Sequence, residues 1–426
     1  MGFQQGLSGL NASSKNLDVI GHNIANSGTV GFKASRTEFA EMVANAIGTA
    51  GSGNAGIGVQ VGAVAQQFTQ GNISVTGNNL DVAINGNGFF RIQQPDGSTA
   101  YTRAGNFKLD DKGNVVTNNH GKLMGYPMDP VTRTRTASTP QPLSFPTGVP
   151  IPAKQSTTIK ASFNLDARAP DAAGNPTATP PVAPTPRSTY GTSINVYDSQ
   201  GVATPVSLYF QKTATANTWD VYDKLDDPKA TPPVVATPIG QIQFDNNGHI
   251  IGPAATPPAT GFQMPVTITP PTPNPNNLPA YTVQVSLDGV TQFGTKFAVS
   301  ELTQDGYTAG QLTGINIGND GTIMASYSNG VTRAEGQVAL ASFRNTQGLA
   351  DIGNNLWQET FESGQPVMGV PTEGAFGALR SGALEDSNVD LTAELVNMMT
   401  AQRAYQANAQ TIKTQDQVLS TLVNLR

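Results

Sequence analysis

The sequence predicts a mainly β protein with α-helical termini. At both ends of the chain, apolar residues recur at alternating intervals of three and four, which is the pattern of a helix with one apolar stripe. Between the ends, short segments that alternate apolar and polar residues are separated by Asn-Gly and Asp-Gly turns, which is typical of β-hairpins. The chain has 426 residues, enough for two or three domains.

We expect the N-terminal helix to occupy residues 1–24. Its stripe is interrupted at Ser14 and Gly21, and the apolar members are Phe3, Leu7, Leu10, Leu17 and Ile24. The segment Asn26-Ser27-Gly28 predicts the end of this helix, with Asn26 or Gly28 in the left-handed conformation.

The C-terminal helix is predicted to start at a capping box formed by Ser387 and Asp390. Its stripe has Gln402, Ala409 and Asp416 among its positions, and the other members are Leu391, Leu395, Met398, Tyr405, Ile412, Leu419 and Val423. Because a repeat of 3.5 residues is the period of a coiled coil, the pattern favours pairing of the two terminal helices with each other. The alternative is that each helix lies separately on a globular core.

The middle of the chain predicts two β domains. Hairpins are indicated by "FKLDDKGNVVT" and "INIGNDGTIMASYSNG", and "LDVAING" predicts a strand before a turn. Of the 30 prolines, 26 lie between Pro130 and Pro279, where loops such as "TPPTPNPNN" are too proline-rich for a helix or a central strand. We therefore predict four parts: a terminal helical coiled-coil domain (1–24 and 386–426), a bridging segment (25–70), a β-rich middle domain (71–146 and 298–385) and an inserted outer β domain (147–297).

Composition argues against several classes of function. Only 13% of the residues are charged and the net charge is −6, which disfavours a nucleic-acid or anionic-membrane partner. No apolar segment is long enough to predict a membrane span. The first basic residue, Lys15, is not followed by an apolar segment, so we also expect no cleaved signal peptide.

Candidate catalytic and cofactor motifs are weak. The histidines His22, His120 and His249 are far apart and the chain has no cysteine, so we predict no metal site. "GSGNAG" at residues 51–56 matches G-x-G-x-x-G, but it follows a helix-like stretch and precedes a strand-like one, the reverse of a dinucleotide site. The sequence leaves open a glycosidase active site built from two carboxylates, because the two residues need only lie near each other in the folded protein. We expect no enzyme, no catalytic residues and no cofactor, with a secreted β-rich enzyme or adhesin as the alternative of a different class.

Three parts of the sequence resemble one known family. "SGLNASSKNLDVIGHNIANSGTVGFKASRTEF" is similar to the N-terminal signature of bacterial flagellar rod and hook proteins, and "SGALEDSNVDLTAELVNMMTAQRAYQANAQTIKTQDQVLSTLVNLR" is similar to the C-terminal one. "NNLDVAINGNGFF" and "YTRAGNFKLDDKGNVVTNNHGKLMGY" resemble the shared β core. One departure is His22, where the family usually has Asn.

The resemblance implies a structural subunit of the flagellar basal body and hook. The large insertion and "NVYDSQG" within it resemble hook subunits, and the alternative is a distal rod protein of the same family. A hook subunit polymerises into a curved, extracellular tube that acts as a universal joint and transmits torque from the rod to the filament. The implied partners are copies of the same chain, the distal rod, the hook cap protein, the hook–filament junction protein and the flagellar type III export apparatus.

For such a subunit, the two helical stripes would be the assembly residues. If the helices line an inner tube, the chain must leave them near residue 25. We expect Asn26, Gly28 and Gly31 to form this exit and Phe32 to anchor the departing segment on a neighbouring domain. Residues 25–70 would bridge the radial layers and touch adjacent subunits.

Overall fold

A computed structural model describes residues 2–43, 56–129, 132–145, 150–227, 229, 235–253, 261–269 and 278–424. The chain forms two compact units. The first unit consists of Met1–Gly148, Leu312–Tyr327 and Thr332–Arg426, and the second consists of Val149–Gln311 and Ser328–Val331. The chain therefore passes through the first unit, forms most of the second, and returns to the first, adding Ser328–Val331 to the second unit on the way.

The first pass through unit 1 contains one helix and ten short strands among the described residues. Helix α1 is Gly2–Ala25. The strands that follow are β1 Ser35–Val43, β2 Gly56–Gln66, β3 Ile73–Val75, β4 Val82–Asn85, β5 Phe89–Gln93, β6 Thr99–Thr102, β7 Lys108–Leu109, β8 Val115–Val116, β9 Lys122–Pro127 and β10 Gln141–Pro142.

Unit 2 contributes the next ten strands and one 3₁₀ turn at Arg187–Thr189. The strands are β11 Thr158–Asp166, β12 Gly191–Tyr197, β13 Ala203–Lys212, β14 Thr218–Tyr222, β15 Gly240–Phe244, β16 Ile250–Gly252, β17 Gln263–Ile268, β18 Tyr281–Ser286, β19 Thr291–Phe293 and β20 Ala298–Gln304.

The return through unit 1 ends in the second helix, α2, at Leu391–Asn424. A 3₁₀ turn lies at Thr346–Gly348. The strands of this part are β21 Leu312–Ile317, β22 Thr322–Tyr327, β23 Thr332–Val338, β24 Leu340–Ser342, β25 Ala350–Gly353, β26 Leu356–Gln358, β27 Val367–Gly369, β28 Ala378–Ser381 and β29 Ala383–Glu385.

The main sheet of unit 1 mixes strands from both passes. Its principal order is β21-β22-β23-β9-β5-β6-β26-β25, and the neighbouring strands are antiparallel. Two small sheets join β3 to β29 and β4 to β28, so the segment before α2 pairs with strands that follow α1. The sheet packs around a core that includes Phe90, Ile92, Leu123 and Leu340, all fully buried.

Unit 2 is built from two five-stranded sheets over one core. One is the antiparallel series β12-β13-β14-β15-β16, and the other is centred on β11, which pairs in parallel with β18 and β19 and antiparallel with β20. Trp219, Phe163 and Phe210 are buried in this core. The Trp219 indole donates to Gln292 Oε1 at 3.2 Å, so the ring is packed with its polar atom satisfied.

The predicted fold class is confirmed: the protein is mainly β with a helix at each end. The hairpin predicted by "INIGNDGTIMASYSNG" is β21–β22, and Gly321 at its turn has φ +78°. The hairpin predicted by "FKLDDKGNVVT" is β7–β8, with Gly113 at φ +79°. Residues 44–55, which hold most of the glycine-rich segment, and 270–277 of the proline-rich loop lie outside the described residues.

Two details of the predicted helix ends are wrong. The N-cap of α2 is Asp390, whose Oδ1 accepts from the N–H groups of Thr392 at 2.9 Å and Ala393 at 3.2 Å, and Ser387 lies one turn too early. At the end of α1, neither Asn26 nor Gly28 has a positive φ. Instead, the Asn26 side chain donates to the carbonyl of His22 at 2.9 Å, which satisfies an end-of-helix carbonyl without a left-handed residue.

Candidate assembly surface

Helices α1 and α2 pack against each other in antiparallel orientation. Gly6 lies beside Ile412 and Gly9 beside Asn408, so the residue numbers rise along one helix as they fall along the other. A Cβ atom on Gly6 would lie 3.1 Å from Ile412 Cγ1, and one on Gly9 would lie 2.9 Å from the Asn408 amide. The two glycines therefore permit a close approach of the helices that a larger side chain would prevent.

The buried residues of the two helices are small, polar or branched apolar side chains. Ala12, Val19, Ile20 and Asn23 are buried on α1, and Ala401 is buried on α2. These residues differ from the stripe that the sequence predicts. Small residues add little to an apolar pattern, yet they decide which faces of two helices can come close.

About half of the predicted apolar stripe is turned outward. Six of its members are between 37% and 54% exposed: Phe3, Leu7, Leu391, Leu395, Tyr405 and Leu419. Five others are half-buried: Leu10, Leu17, Ile24, Met398 and Ile412. The side chain of Val423 lies outside the described residues. Within one subunit, Ile412 of the stripe lies against Gly6 of α1.

The sequence analysis missed other exposed apolar residues on α2. Val396, Met399 and Val418 are each about half exposed. They lie off the heptad positions, so the periodic pattern gave no signal for them. With the stripe, they give α2 apolar side chains on more than one of its faces.

The β1–β2 hairpin lies on α1. Gly58, at φ +138°, passes so close to Ser8 that no side chain would fit there. The next N–H, that of Val59, donates to the Ser8 hydroxyl at 3.3 Å. Phe39 on β1 is 49% exposed. Within the bridging segment 25–70, the described part therefore contains an ordered hairpin with an outward aromatic side chain.

An open groove of about 900 Å³ runs between α1, this hairpin and the first half of α2. Its walls include Ala12, Ser13, Ala401 and Ala404, together with polar groups such as Asn16. Because the wall residues are small, another polypeptide backbone could come close to both helices.

The exit from α1 depends on Gly31. Its φ is +69°, and a Cβ atom there would lie 2.6 Å from the backbone nitrogen of Ala104. Gly28, by contrast, has open space around it and an ordinary φ, so the backbone does not require glycine at that position. Phe32 is buried, and its ring lies 5.5 Å from that of His22, so it packs on the end of α1 within its own unit.

A buried charge cluster that the sequence analysis did not identify lies just after this exit. The Lys33 ammonium donates to Glu385 Oε1 at 2.5 Å and to the Thr69 carbonyl at 2.8 Å. Arg103 Nη1 donates to Glu385 Oε2 at 3.2 Å, and the side chains of Lys33 and Glu385 are fully buried. Burial lowers the pKa values of Lys33 and Arg103, and the Glu385 carboxylate opposes both shifts.

Two asparagines tie the helices to the chain beside this cluster. Asn23, near the end of α1, donates to the Ser35 carbonyl at 2.8 Å and accepts from the Ser35 N–H at 2.9 Å. Asn388, just before α2, accepts from the Ala34 N–H at 2.7 Å and donates to the Gln67 carbonyl at 2.7 Å. Both helices are therefore anchored to the same short segment of unit 1.

The geometry offers little for catalysis. No group of three His, Asp or Glu side chains that could hold a metal ion occurs in the described part of the chain. Among those same residues, no helix is both long and apolar enough to cross a membrane. The prominent features are instead outward apolar helices and a groove, which define a structural protein that works through contacts with other chains.

Comparisons with known proteins agree with this class. Four family models match the chain in order: "Flagella basal body rod protein" at residues 3–33, "Flagellar hook protein FlgE/F/G D1 domain" at 83–163, "Flagellar basal body protein FlaE D2 domain" at 164–307 and "Flagellar basal body rod FlgEFG protein C-terminal" at 380–425. The first and last models cover the two terminal helices, and the other two together cover much of the β-rich middle of the chain.

Relatives match over the full chain. The flagellar hook proteins of Escherichia coli and Salmonella typhimurium are each 42% identical over 100% of both chains. That of Treponema pallidum is 31% identical over 99% of this chain and 98% of its own. A Helicobacter pylori flagellar hook protein has a similar fold, with a TM-score of 0.52 at 18% identity over 73% of this chain and all of its own. The chain belongs to the flagellar hook protein family and is a structural subunit of the hook rather than an enzyme or a rod protein.

Proposed function

We propose that the chain polymerises with copies of itself into the hook by packing its terminal helices against those of neighbouring subunits. The observation that carries this proposal is the exposure of the apolar stripe. Side chains such as Leu391 and Leu395 are about half exposed on a helix of the lone subunit. Burying one such side chain contributes about 1.5–3 kcal/mol, so the outward apolar residues of α1 and α2 supply a strong drive to associate.

The same proposal assigns a role to the helix pair, to the β domains and to segment 25–70. The helix pair would lie toward the inside of the tube, and the β domains would lie outside it. The segment 25–70 would contact adjacent copies through its hairpin, where Phe39 is exposed. In this arrangement, the polymer transmits torque to the filament as a flexible joint.

The remaining partners are proposed from family resemblance alone. They are the distal rod at the base of the hook, the hook cap protein during growth, and the hook–filament junction protein at the far end. Export through the flagellar type III apparatus, without a cleaved signal peptide, would deliver the chain to the outside of the cell.

Substitution of Leu395 tests the assembly surface. Leu395→Asp places a charge on an exposed stripe position, and Gln410→Asp adds the same charge to α2 at an exposed polar position. We expect Leu395→Asp to stay monomeric at concentrations where the wild type and Gln410→Asp form tubes, as followed by sedimentation and electron microscopy. Thermal melting should be alike for all three monomers. Normal tubes from Leu395→Asp would contradict the role of the stripe.

A deletion tests the proposal that an outer domain is inserted. Within unit 2, the Ile151 N–H donates to the Gly310 carbonyl at 2.8 Å, so the two chain segments that delimit it are adjacent. Removing residues 152–309 and joining 151 to 310 through a short Gly-Ser linker should leave a folded protein that still polymerises. A product that does not fold would contradict an independent inserted domain.

A further inference from the structure

Two buried polar atoms without hydrogen-bond partners line the groove between α1, the β1–β2 hairpin and α2. They are Oε2 of Glu394, in the first turn of α2, and the hydroxyl of Thr37, on β1. Buried polar groups in native proteins almost always have partners, and an unpaired carboxylate oxygen is among the costliest exceptions. Among the described residues, two of the six such atoms therefore lie in one open groove, where an incoming chain could supply their partners.

The subunit does not supply a cation to Glu394 from its own groove. Arg36 is the only basic residue among the groove-lining residues, and its guanidinium pairs with Glu38 at 2.8 Å on the solvent side. Burial raises the pKa of Glu394, with a hydrogen bond from Asn23 opposing the shift. A cation placed beside this carboxylate would favour its charged form and oppose that shift.

The terminal helices themselves carry suitable cations. Lys15 on α1, and Arg403 and Lys413 on α2, are exposed and have no ion pair among the described residues. Each of these side chains has the charge opposite to that of the Glu394 carboxylate, so each could form an ion pair with it.

The shape of the groove also suits a helix. Its lining residues on α1 extend from Gln5 to Ile20, a distance of about 22 Å at roughly 1.5 Å per residue. That length accommodates about four helical turns. Small residues such as Ala12 and Ala404 line it, as expected for a surface that receives a closely packed helix.

We propose that this groove receives a terminal helix of a second copy of the chain, and that Lys15, Arg403 or Lys413 of that helix pairs with Glu394. The inference rests on the proposed function and makes it more specific, because it names the receiving surface and the contact. The Thr37 hydroxyl would form a second polar contact to the incoming helix. The ion pair would fix the register of one subunit on the next, which the apolar stripe alone leaves loosely defined.

Charge reversal and rescue test the proposal in the full-length protein. Glu394→Lys should raise the critical concentration for polymerisation at least ten-fold and leave the melting temperature of the monomer within a few degrees. Glu362→Lys is the matched control, because it reverses an exposed carboxylate that lies outside the groove, both helices and the β1–β2 hairpin. It should polymerise like the wild type.

The second step combines Glu394→Lys with Lys15→Glu, Arg403→Glu or Lys413→Glu, one at a time. We expect one of the three double variants to recover most of the lost polymerisation. Failure of all three, or a normal critical concentration for Glu394→Lys, overturns the inference while the proposed function stands. If Glu394→Lys does not fold, Glu394→Gln is used instead. An unchanged critical concentration for Glu394→Gln would also overturn the inference. A wild-type protein that stays monomeric at every concentration contradicts both proposals.

Discussion

The Lys33 ammonium and the Glu385 carboxylate form a fully buried ion pair at 2.5 Å, although 352 positions of the sequence separate them. Lys33 follows the exit from α1, and Glu385 is the last residue of the strand before α2. Arg103 of the β core contacts the same carboxylate. This one carboxylate therefore joins the start of the chain, its end and the main body of unit 1.

Removing one member of the pair should be costly. Lys33→Met leaves Glu385 with only Arg103 as a cationic partner, and Glu385→Gln leaves two buried cations without a carboxylate. We expect unit 1 to lose about 3–5 kcal/mol of its free energy of unfolding in each variant. Hydrogen–deuterium exchange in increasing urea measures this loss for unit 1 separately from unit 2.

The exposed pair of Arg36 and Glu38 is the control for that experiment. Its side chains are 67% and 47% exposed, so Glu38→Gln should change the free energy of unfolding by less than about 1 kcal/mol. Equal losses for the buried and exposed pairs would show that Glu385 is not a structural centre of the unit.

The close approach of the two helices should depend on Gly9. Gly9→Val would drive a branched side chain into Asn408, so we expect the helix pair to separate and helical circular dichroism to fall. Gly21 offers the comparison, because nothing lies within 4 Å of the Cβ that Gly21→Ala would add. That substitution should stabilise α1 by up to about 1 kcal/mol. A neutral Gly9→Val would contradict the packing described for α1 and α2.

Trypsin should distinguish basic residues of the terminal region by their burial. Lys15, Arg403 and Lys413 are exposed on the helices, and Lys33 is buried in its ion pair. In the monomer we expect early cleavage at the three exposed sites and resistance at Lys33, as resolved by mass spectrometry over time. In the polymer the three sites should become protected. Early cleavage at Lys33 would mean that the exit segment opens before the helices do.

Acid should weaken unit 2 through Asp305. Desolvation alone would raise the pKa of this carboxyl, but hydrogen bonds from the N–H groups of Thr158 and Thr157, the Thr157 hydroxyl and the Lys154 ammonium lower it to about 2. Because the folded-state pKa lies below the unfolded value, the group contributes its full stability above about pH 4–5 and loses it as the pH falls toward 2.

Asp305→Asn should therefore reduce the stability of unit 2 by about 1–3 kcal/mol near neutral pH and by much less at pH 2. Asp227→Asn, at an exposed loop position of the same unit, is the matched control and should have little effect at either pH. Urea unfolding at both pH values, followed by hydrogen exchange within unit 2, gives the comparison. An equal loss at both pH values would contradict the assigned role of the Asp305 carboxylate.

The features that could be predicted from the sequence are those with local signals. Both terminal helices show a repeat, and the β7–β8 and β21–β22 hairpins contain turns at Gly113 and Gly321 whose positive φ favours glycine. The hook family could also be recognised from its terminal signatures. Each of these signals lies within a short stretch of chain.

The features that could not be predicted depend on contacts between distant residues. Nothing in the local sequence of Lys33 or Glu385 indicates that they meet, because a single charge in a loop is usually solvated. The packed face of the helices was missed for a different reason. Gly6 and Gly9 lie off the apolar stripe, so the pattern gave them no weight, whereas in the structure the partner helix packs close to both.

The ion pair of Lys33 and Glu385 also constrains the order in which the molecule can fold. Unit 2 is built almost wholly from one continuous stretch, Val149–Gln311, so most of its contacts can form before the rest of the chain is present. The segment after α1 must instead wait for residue 385, because only then does the Lys33 ammonium gain its carboxylate. Closing so long a loop is slow compared with forming a hairpin. The N-terminal helix can contact the β1–β2 hairpin early, but its exit segment gains the Glu385 carboxylate only when the last strand of unit 1 arrives.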